Sequence, residues 1–154
     1  MNAYSQYQEN QILSASAEQI LLMLYDGAIR FTLQAISGFE NNDLSQFHRG
    51  IKNSLAIITE FSSSLDHTIG GKIADDLEAL YDFMIRELLL ANLHKDTEKL
   101  KVVERLLRDL RATWGEAIET NSREHILIAE MATKTKTPSI GSTPSGYVPF
   151  SISR

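Results

Sequence analysis

The sequence predicts an all-α fold, an antiparallel up-down helical bundle of four main helices. Three observations support this. Apolar residues recur three and four positions apart in four successive stretches. Short runs rich in Asn, Asp or Gly separate those stretches, and no stretch shows a competing strand pattern. With 154 residues the chain is expected to form one domain. We expect it to comprise a mobile N-terminal segment, 1–15, a bundle domain, 16–132, and a disordered tail, 133–154.

The first predicted helix begins at the N-cap Ser16, with Gln19 completing a capping box, and ends near Asn41. It carries two neighbouring apolar stripes, more than one core face needs. Either this is the most buried helix of the fold or the second stripe is kept for a partner; the sequence supports both about equally. The first stripe comprises Ile20, Leu21, Leu24, Ala28, Phe31, Ala35 and Phe39. The second comprises Leu22, Tyr25, Ile29, Leu33 and Ile36.

Two further helices follow, at about 44–65 and 73–93. Their apolar residues repeat at helical spacing, and Leu80 is an expected core residue. The stretch Asp66–Gly71 is predicted to be a loop, because its two glycines break a helix. Phe83 and Leu90 lie on another side of the third helix and are interpreted as scattered surface residues.

A fourth helix is predicted from about Thr97 to Glu119, with Leu107 in the core. Asn121 or Ser122 then opens a short fifth helix through Ala132, or the fourth helix continues straight through. In the first case three apolar side chains, those of Ile126, Leu127 and Met131, are expected to pack back on the bundle.

The two ends of the chain differ in composition. Residues 1–15 are polar but contain four larger side chains, those of Tyr4, Tyr7, Ile12 and Leu13, which are expected to fold back onto an apolar face. Residues 133–154 hold all three prolines, many Ser and Thr, and no acid, which is typical of a disordered tail.

Charge and composition exclude several classes of protein. The net charge is −5, and the only charges after Met131 are Lys134, Lys136 and Arg154; the remaining twelve bases and twenty acids leave the body near −8. Such a body is a poor nucleic-acid binder. There is no cysteine, which excludes disulfides and thiolate metal sites. We expect no apolar run long enough to cross a bilayer and no secretory signal, and a cytoplasmic location fits.

The sequence offers no pattern for catalysis. None of the four histidines follows an acidic residue three positions earlier, as a di-metal bundle site requires. No Gly-rich phosphate loop is present. The acidic cluster Asp75, Asp76, Glu78 and Asp82 is expected on a solvated helix side. We therefore expect no enzyme activity, cofactor, metal or small-molecule substrate. A metal- or haem-dependent bundle enzyme is the least favoured class, and a module that binds a helix in a groove is favoured.

Several motifs, in order, carry a resemblance to a known family. Residues 7–16, YQENQILSAS, precede residues 21–29, LLMLYDGAI; Ser64-Leu65-Asp66 precedes the Gly-Gly pair; and LYDFM at residues 80–84, Ala91-Asn92, Leu110-Arg111 and Trp114 follow. These resemble the flagellar export chaperones of the FliS family, and the match runs from about Tyr4 to Glu119. The LYDGAI element is fairly specific, whereas the other motifs count mainly through their order.

The resemblance implies a cytosolic helical bundle that binds the disordered C-terminal segment of flagellin. It further implies that binding prevents premature polymerisation and presents flagellin to the type III export gate. It also implies that the N-terminal segment around Tyr7 covers part of the flagellin groove. The alternative is a regulatory or scaffolding bundle that binds an amphipathic helix of another protein. The expected partner-binding residues are Tyr4, Tyr7, Ile12, Leu13, Leu22, Tyr25, Ile29, Leu33 and Ile36.

Overall fold

The structure, a computed structural model, describes residues 3, 5–6 and 16–134, with only the backbone described at 124–126, 129 and 132–134. Within 16–134 the chain forms four α-helices and no strand. They are α1 (Ala17–Glu40), α2 (Leu44–Ser63), α3 (His67–His94) and α4 (Thr97–Lys134). Both α1 and α3 pack against α2 and α4, so the helices surround a single core. The predicted up-down four-helix bundle is confirmed. The expected boundary at residue 133 and the tail beyond Lys134 remain predictions, since residues 135–154 lie outside the described part.

Short polar caps define where the first two helices begin and end. The Ser16 hydroxyl accepts a hydrogen bond from the Gln19 amide at 3.2 Å, and the Gln19 side chain accepts one from the Ser16 amide at 3.1 Å. This is the predicted capping box. Asn42 turns the chain with a φ of 58°, and Asp43 then caps α2 by accepting from the Gln46 amide at 3.0 Å. The predicted end of the first helix near Asn41, at a short run of Asn and Asp, is therefore confirmed.

The third helix begins earlier than predicted. Asp66 accepts hydrogen bonds from the amides of Thr68 and Ile69, so the chain is helical from His67 onward and the predicted loop is wrong in this part. The glycine break itself is present, because Gly71 has a φ of 53° and a ψ of −125°, a conformation that needs glycine. The chain thus makes one helical turn before the main body of α3.

The fourth helix is continuous, which decides between the two alternatives at Asn121. It runs unbroken to Lys134, so no separate fifth helix forms. Leu127 and Met131 are 57% and 67% exposed, and the expectation that they pack back on the bundle is wrong. The Ile126 side chain lies outside the described residues.

The core contains buried residues from all four helices. Leu107 is fully buried as predicted, whereas Leu80 is only half-buried because its neighbour Tyr81 takes the inward position. Phe83 packs against the core, so its interpretation as a scattered surface residue is wrong. The largest fully buried side chains are those of Tyr25, Phe47, Ile51, Ile58, Met84, Leu88, Leu100, Leu107, Val103, Thr32 and Ser54.

Four aromatic residues, one from each helix, form a layer across the core. The rings of Tyr25 and Phe61 stack with centroids 4.4 Å apart, and Phe61 also contacts Tyr81 at 5.6 Å. The two tyrosine hydroxyls are hydrogen-bonded at 2.6 Å, and Trp114 packs against the core. Burial raises the pKa of both tyrosines, so they stay neutral and partnered inside the core.

One described helix, α1, is long and apolar enough to cross a membrane by length and composition alone. The expectation that no segment reaches that length is therefore wrong. The same test is passed by core helices of soluble proteins and by signal sequences. Here α1 packs against both α2 and α4 and contributes a buried face to the core.

Candidate partner-binding surfaces

The second stripe of α1 is divided between the core and the surface. Tyr25 is fully buried and Ile36 is 9% exposed, so neither is accessible to a partner in this structure. Leu22 and Ile29 are half-buried, and Leu33 is 43% exposed. The buried face of α1 is centred between the two predicted stripes. Each stripe is therefore buried along the edge that adjoins the other stripe. Tyr4, Tyr7, Ile12 and Leu13 lie outside the described residues.

An ion pair fixes α4 beside the exposed edge of this stripe. The Arg111 guanidinium donates to both carboxylate oxygens of Asp26, at 3.0 and 3.5 Å. Both side chains are partly exposed, so the pair contributes little to stability by itself. It does mark which residues of α1 and α4 lie level with each other. The accessible part of the second stripe consists of the exposed Leu33 and the half-buried Leu22 and Ile29. We call this surface the α1 strip.

A concave apolar surface lies between α2 and α3. It is an open groove of about 530 Å³. Its apolar floor combines Ile51 and Leu55 from α2 with Ile85 and Leu89 from α3, and Leu89 remains 53% exposed. We call this surface the α2/α3 groove. Apolar concave surfaces with a polar rim are typical binding sites.

The rim of the groove carries both charges and hydrogen-bonding groups. Lys52 and Glu60 lie along α2, which leaves the rim without a strong charge of one sign. At one end His48 and Asn92 join the two helices through a 2.7 Å hydrogen bond. Because the rim is balanced in charge, apolar contact rather than charge attraction is expected to select what binds here.

Two exposed leucines lie near the end of the groove marked by this hydrogen bond, outside the residues that line it. Leu44, one turn before His48, is 50% exposed, and Leu93, next to Asn92, is 71% exposed. Together with Leu89 they leave three large apolar side chains at the end of the bundle where α2 begins and α3 ends. Sequence reasoning missed this surface, although Ile85, Leu89 and Leu93 recur every four residues beside the predicted core face of the third helix.

A smaller cavity of about 170 Å³ lies where α1 begins and α2 ends. Ile20, Leu21 and Leu24 line it from α1, and Phe61 lines it from α2. Leu24 belongs to the first predicted stripe but is 37% exposed. This cavity is next to Ser16 and therefore next to the point where the N-terminal segment joins the bundle.

The described residues contain no cluster of His, Asp and Glu able to hold a metal ion. His67 lies between two carboxylates, with Nδ1 2.8 Å from Asp75 and Nε2 2.8 Å from Glu78. The hydrogen bond to Asp75, assisted by the charge of Glu78, raises the pKa of His67. The two carboxylates approach opposite nitrogens of the ring, so this arrangement pairs charges and does not chelate an ion.

A four-helix bundle with an open apolar groove defines this protein as an all-α bundle with a candidate site for a partner helix. The family model described as "Flagellar protein FliS" matches residues 1–121. The chain therefore belongs to the FliS family, and the resemblance seen in the sequence motifs is confirmed.

Several curated relatives carry the name flagellar secretion chaperone FliS. The protein of Bacillus subtilis is 32% identical over 123 residues, covering 80% of this chain and 91% of its own length. The protein of Salmonella typhimurium is 36% identical over 116 residues, covering 74% and 86%. The protein of Escherichia coli is 35% identical over 113 residues, covering 71% and 82%. The family is thus one of chaperones for flagellar secretion.

Proposed function

We propose that this protein is a cytosolic, non-enzymatic chaperone that binds the C-terminal segment of flagellin. In this role it prevents flagellin from polymerising early and delivers it to the type III export gate. The observation that carries the proposal is the open apolar α2/α3 groove on a bundle of the flagellar secretion chaperone family.

An amphipathic client segment fits the physics of this groove. A helix laid into an apolar groove presents anchors at three- and four-residue spacing, and an unfolded segment gains order as it binds. On the chaperone, Leu89 and Leu93 present the same spacing from α3 and are 53% and 71% exposed. Covering them removes apolar surface from water at no cost to the bundle core.

We place the main client contact in the α2/α3 groove and retain the α1 strip as the alternative surface. The groove is concave and contains floor residues from two helices. The α1 strip offers Leu33 with Leu22 and Ile29, both half-buried, so its accessible apolar area is smaller. The N-terminal residues proposed from the sequence, Tyr4 and Tyr7 among them, complete that alternative.

A second candidate function is a regulatory or scaffolding bundle that binds an amphipathic helix of another protein. The groove alone does not distinguish the two functions, since flagellin and another amphipathic partner would use the same apolar anchors. Family membership favours the chaperone function.

Calorimetric titration with a peptide from the C-terminal end of the flagellin of the same organism tests the proposal. The full chain is expected to bind in the micromolar range or tighter. Leu89→Asp is expected to abolish binding, because a carboxylate in an apolar interface is left unpaired and desolvated. Leu33→Asp is the matched control, since both side chains are exposed leucines on helix surfaces and both variants are expected to fold.

The two variants separate the surfaces. Loss of binding only in Leu33→Asp would place the client on the α1 strip instead of the groove. Normal binding by both variants would reject both surfaces. A full chain that is folded by circular dichroism but does not bind the peptide would reject flagellin as the client and leave the second candidate function.

A further inference from the structure

The first turn of α3, residues 67–70, is folded back on the rest of the helix. It precedes Gly71, whose φ of 53° and ψ of −125° interrupt the helix. A Cβ built on Gly70 would lie 2.8 Å from the Cβ of Ala74. On a regular helix, positions four apart keep their Cβ atoms about 5–6 Å apart, so the turn lies against the body of α3. Gly71 is therefore a hinge, and the first turn is the part that can swing about it.

The side chain of His67 bridges this hinge with two short contacts. Its Nδ1 lies 2.8 Å from a carboxylate oxygen of Asp75, and its Nε2 lies 2.8 Å from one of Glu78. On a straight helix Asp75 would lie about 12 Å further along the axis than His67. The contacts therefore exist only because the chain bends at Gly71, and they connect the first turn to the body of α3.

Both contacts require the charged imidazole. The imidazolium ion donates from both ring nitrogens, whereas the neutral ring donates from one nitrogen and accepts at the other. Ionised carboxylates only accept hydrogen bonds. After loss of the proton, one ring nitrogen would turn its lone pair toward a carboxylate oxygen. One of the two attractive contacts would then be replaced by repulsion.

We propose that His67 and the Gly71 hinge form a pH-sensitive strap on the first turn of α3. The protonated imidazole holds the turn against the helix through both carboxylates. The neutral imidazole releases one carboxylate, and the turn swings away at Gly71. The proposal follows from the geometry of this end of the bundle and does not rest on the proposed function.

The side chains of the turn bury little apolar surface that would hold it in place. Ile69, within the turn, is 61% exposed, and Ile73, just after the hinge, is 69% exposed. Asp66 accepts hydrogen bonds from the amides of Thr68 and Ile69, but these bonds lie within the turn and its cap and would move with it. The contacts of the imidazole with the body of α3 are therefore expected to decide whether the turn is closed or open.

The charges around the imidazole determine the direction of the switch. Among the described residues, the hydrogen bond to Asp75 has the largest effect, and the charges of Glu78 and Asp66 also favour the protonated ring. Lys72, on the other side of the hinge, is paired with Asp76 at 3.1 Å. The three carboxylates raise the pKa of the imidazole above its ordinary value of 6.5. The strap is therefore closed in acid and opens as pH rises through the raised pKa.

An NMR titration of the full chain from about pH 5 to about pH 9 tests the strap. It follows the His67 ring together with the nuclear Overhauser effect from Gly70 Hα to the Ala74 methyl group, which reports the closed turn. We expect the ring to titrate with a midpoint above 6.5 and the Overhauser effect to lose most of its intensity at the same midpoint. A ring that titrates while the Overhauser effect stays constant would overturn the proposal, and so would a midpoint at or below 6.5.

Three variants identify the sensor, and each replaces an exposed side chain, so all are expected to fold. His67→Lys keeps its charge over most of this range and is expected to hold the turn closed up to about pH 9. His67→Gln has no charge and is expected to leave the turn open at every pH. His94→Gln, at the other end of α3, is the matched control and is expected to keep the native transition. A lysine variant that opens like the native chain, a glutamine variant that stays closed, or a His94→Gln variant without the transition would each overturn the proposal.

Discussion

Gly50→Ala is expected to destabilise the bundle, and Gly27→Ala is expected to leave it unchanged or more stable. Both glycines are buried on the interface between α1 and α2. A Cβ at position 50 would lie 2.6 Å from the Phe31 carbonyl oxygen and 2.7 Å from the Ala35 amide nitrogen. At position 27 the nearest atom is Cδ1 of Ile57, at an ordinary 3.5 Å.

The magnitude follows from two opposing effects. Replacing a helical glycine by alanine stabilises the helix by about 1 kcal/mol, and this gain is common to both positions. At Gly50 the added methyl group meets backbone atoms that cannot rotate away, so the helices must separate at an overpacking cost of about 3 kcal/mol. The expected net changes in the free energy of unfolding are a loss of about 2 kcal/mol for Gly50→Ala and a gain of up to about 1 kcal/mol for Gly27→Ala.

Urea unfolding followed by circular dichroism measures both changes. With a slope of about 2 kcal/mol per molar urea, Gly50→Ala lowers the midpoint by about 1 M and Gly27→Ala raises it slightly. Equal midpoints for the two variants would refute the close approach of α1 and α2 at Gly50. A large loss at Gly27 would show that the contact with Ile57 is tighter than the structure indicates.

Further predictions concern the core, a surface ion pair and the tail. Leu107→Ala is expected to cost about 2–5 kcal/mol in urea unfolding and Leu80→Ala clearly less, because only Leu107 is fully buried; equal costs would contradict the orientation of α3. The hydrogen bond to Asp75 raises the pKa of His67 above its ordinary value of 6.5. The bond to the charged imidazole therefore stabilises the fold fully below pH 6.5, and this stabilisation is lost as pH rises through the raised pKa. An NMR titration of the imidazole with a midpoint below 6.5 would contradict this. Removing residues 135–154 is expected to leave the melting temperature and peptide binding nearly unchanged; a clear fall in either would show that the tail packs on the body.

Helix number and caps could be predicted from local sequence because they depend on local chemistry. The capping box at Ser16 and the turn before Asp43 involve residues within three positions of each other, and both are confirmed. The ion pair between Glu104 and Arg108, four residues apart on α4, depends in the same way on residues close in sequence. Such features are determined before tertiary packing acts.

Helix phase could be predicted only approximately. The doubled stripe on α1 showed that this helix has two apolar faces, but which residues face inward depends on where α2 and α4 pack. The buried centre falls on Tyr25 and Thr32, and the latter was in neither stripe because threonine is polar. Thr32 is buried because its hydroxyl contacts Ser54 at 2.9 Å and donates to the Ala28 carbonyl at 2.8 Å.

The candidate groove was missed for a related reason. Its floor combines residues of α2 and α3 that are far apart in sequence, and a single helix pattern does not show which faces meet. The repeat of Ile85, Leu89 and Leu93 was a signal that α3, too, has apolar surface outside its core face. Apolar positions outside the core face of a helix, as on α1, therefore indicate a candidate binding surface on α3 as well.

The aromatic layer of the core gives the protein a built-in optical reporter. Trp114 is the single tryptophan of the chain and packs against the core, in which Tyr25 stacks on Phe61. Its emission therefore depends on a layer to which all four helices contribute. Energy transfer from Tyr25 and Tyr81 to the indole falls with distance, so it decreases when that layer comes apart. Fluorescence from one native side chain can thus follow assembly of the whole bundle without any label.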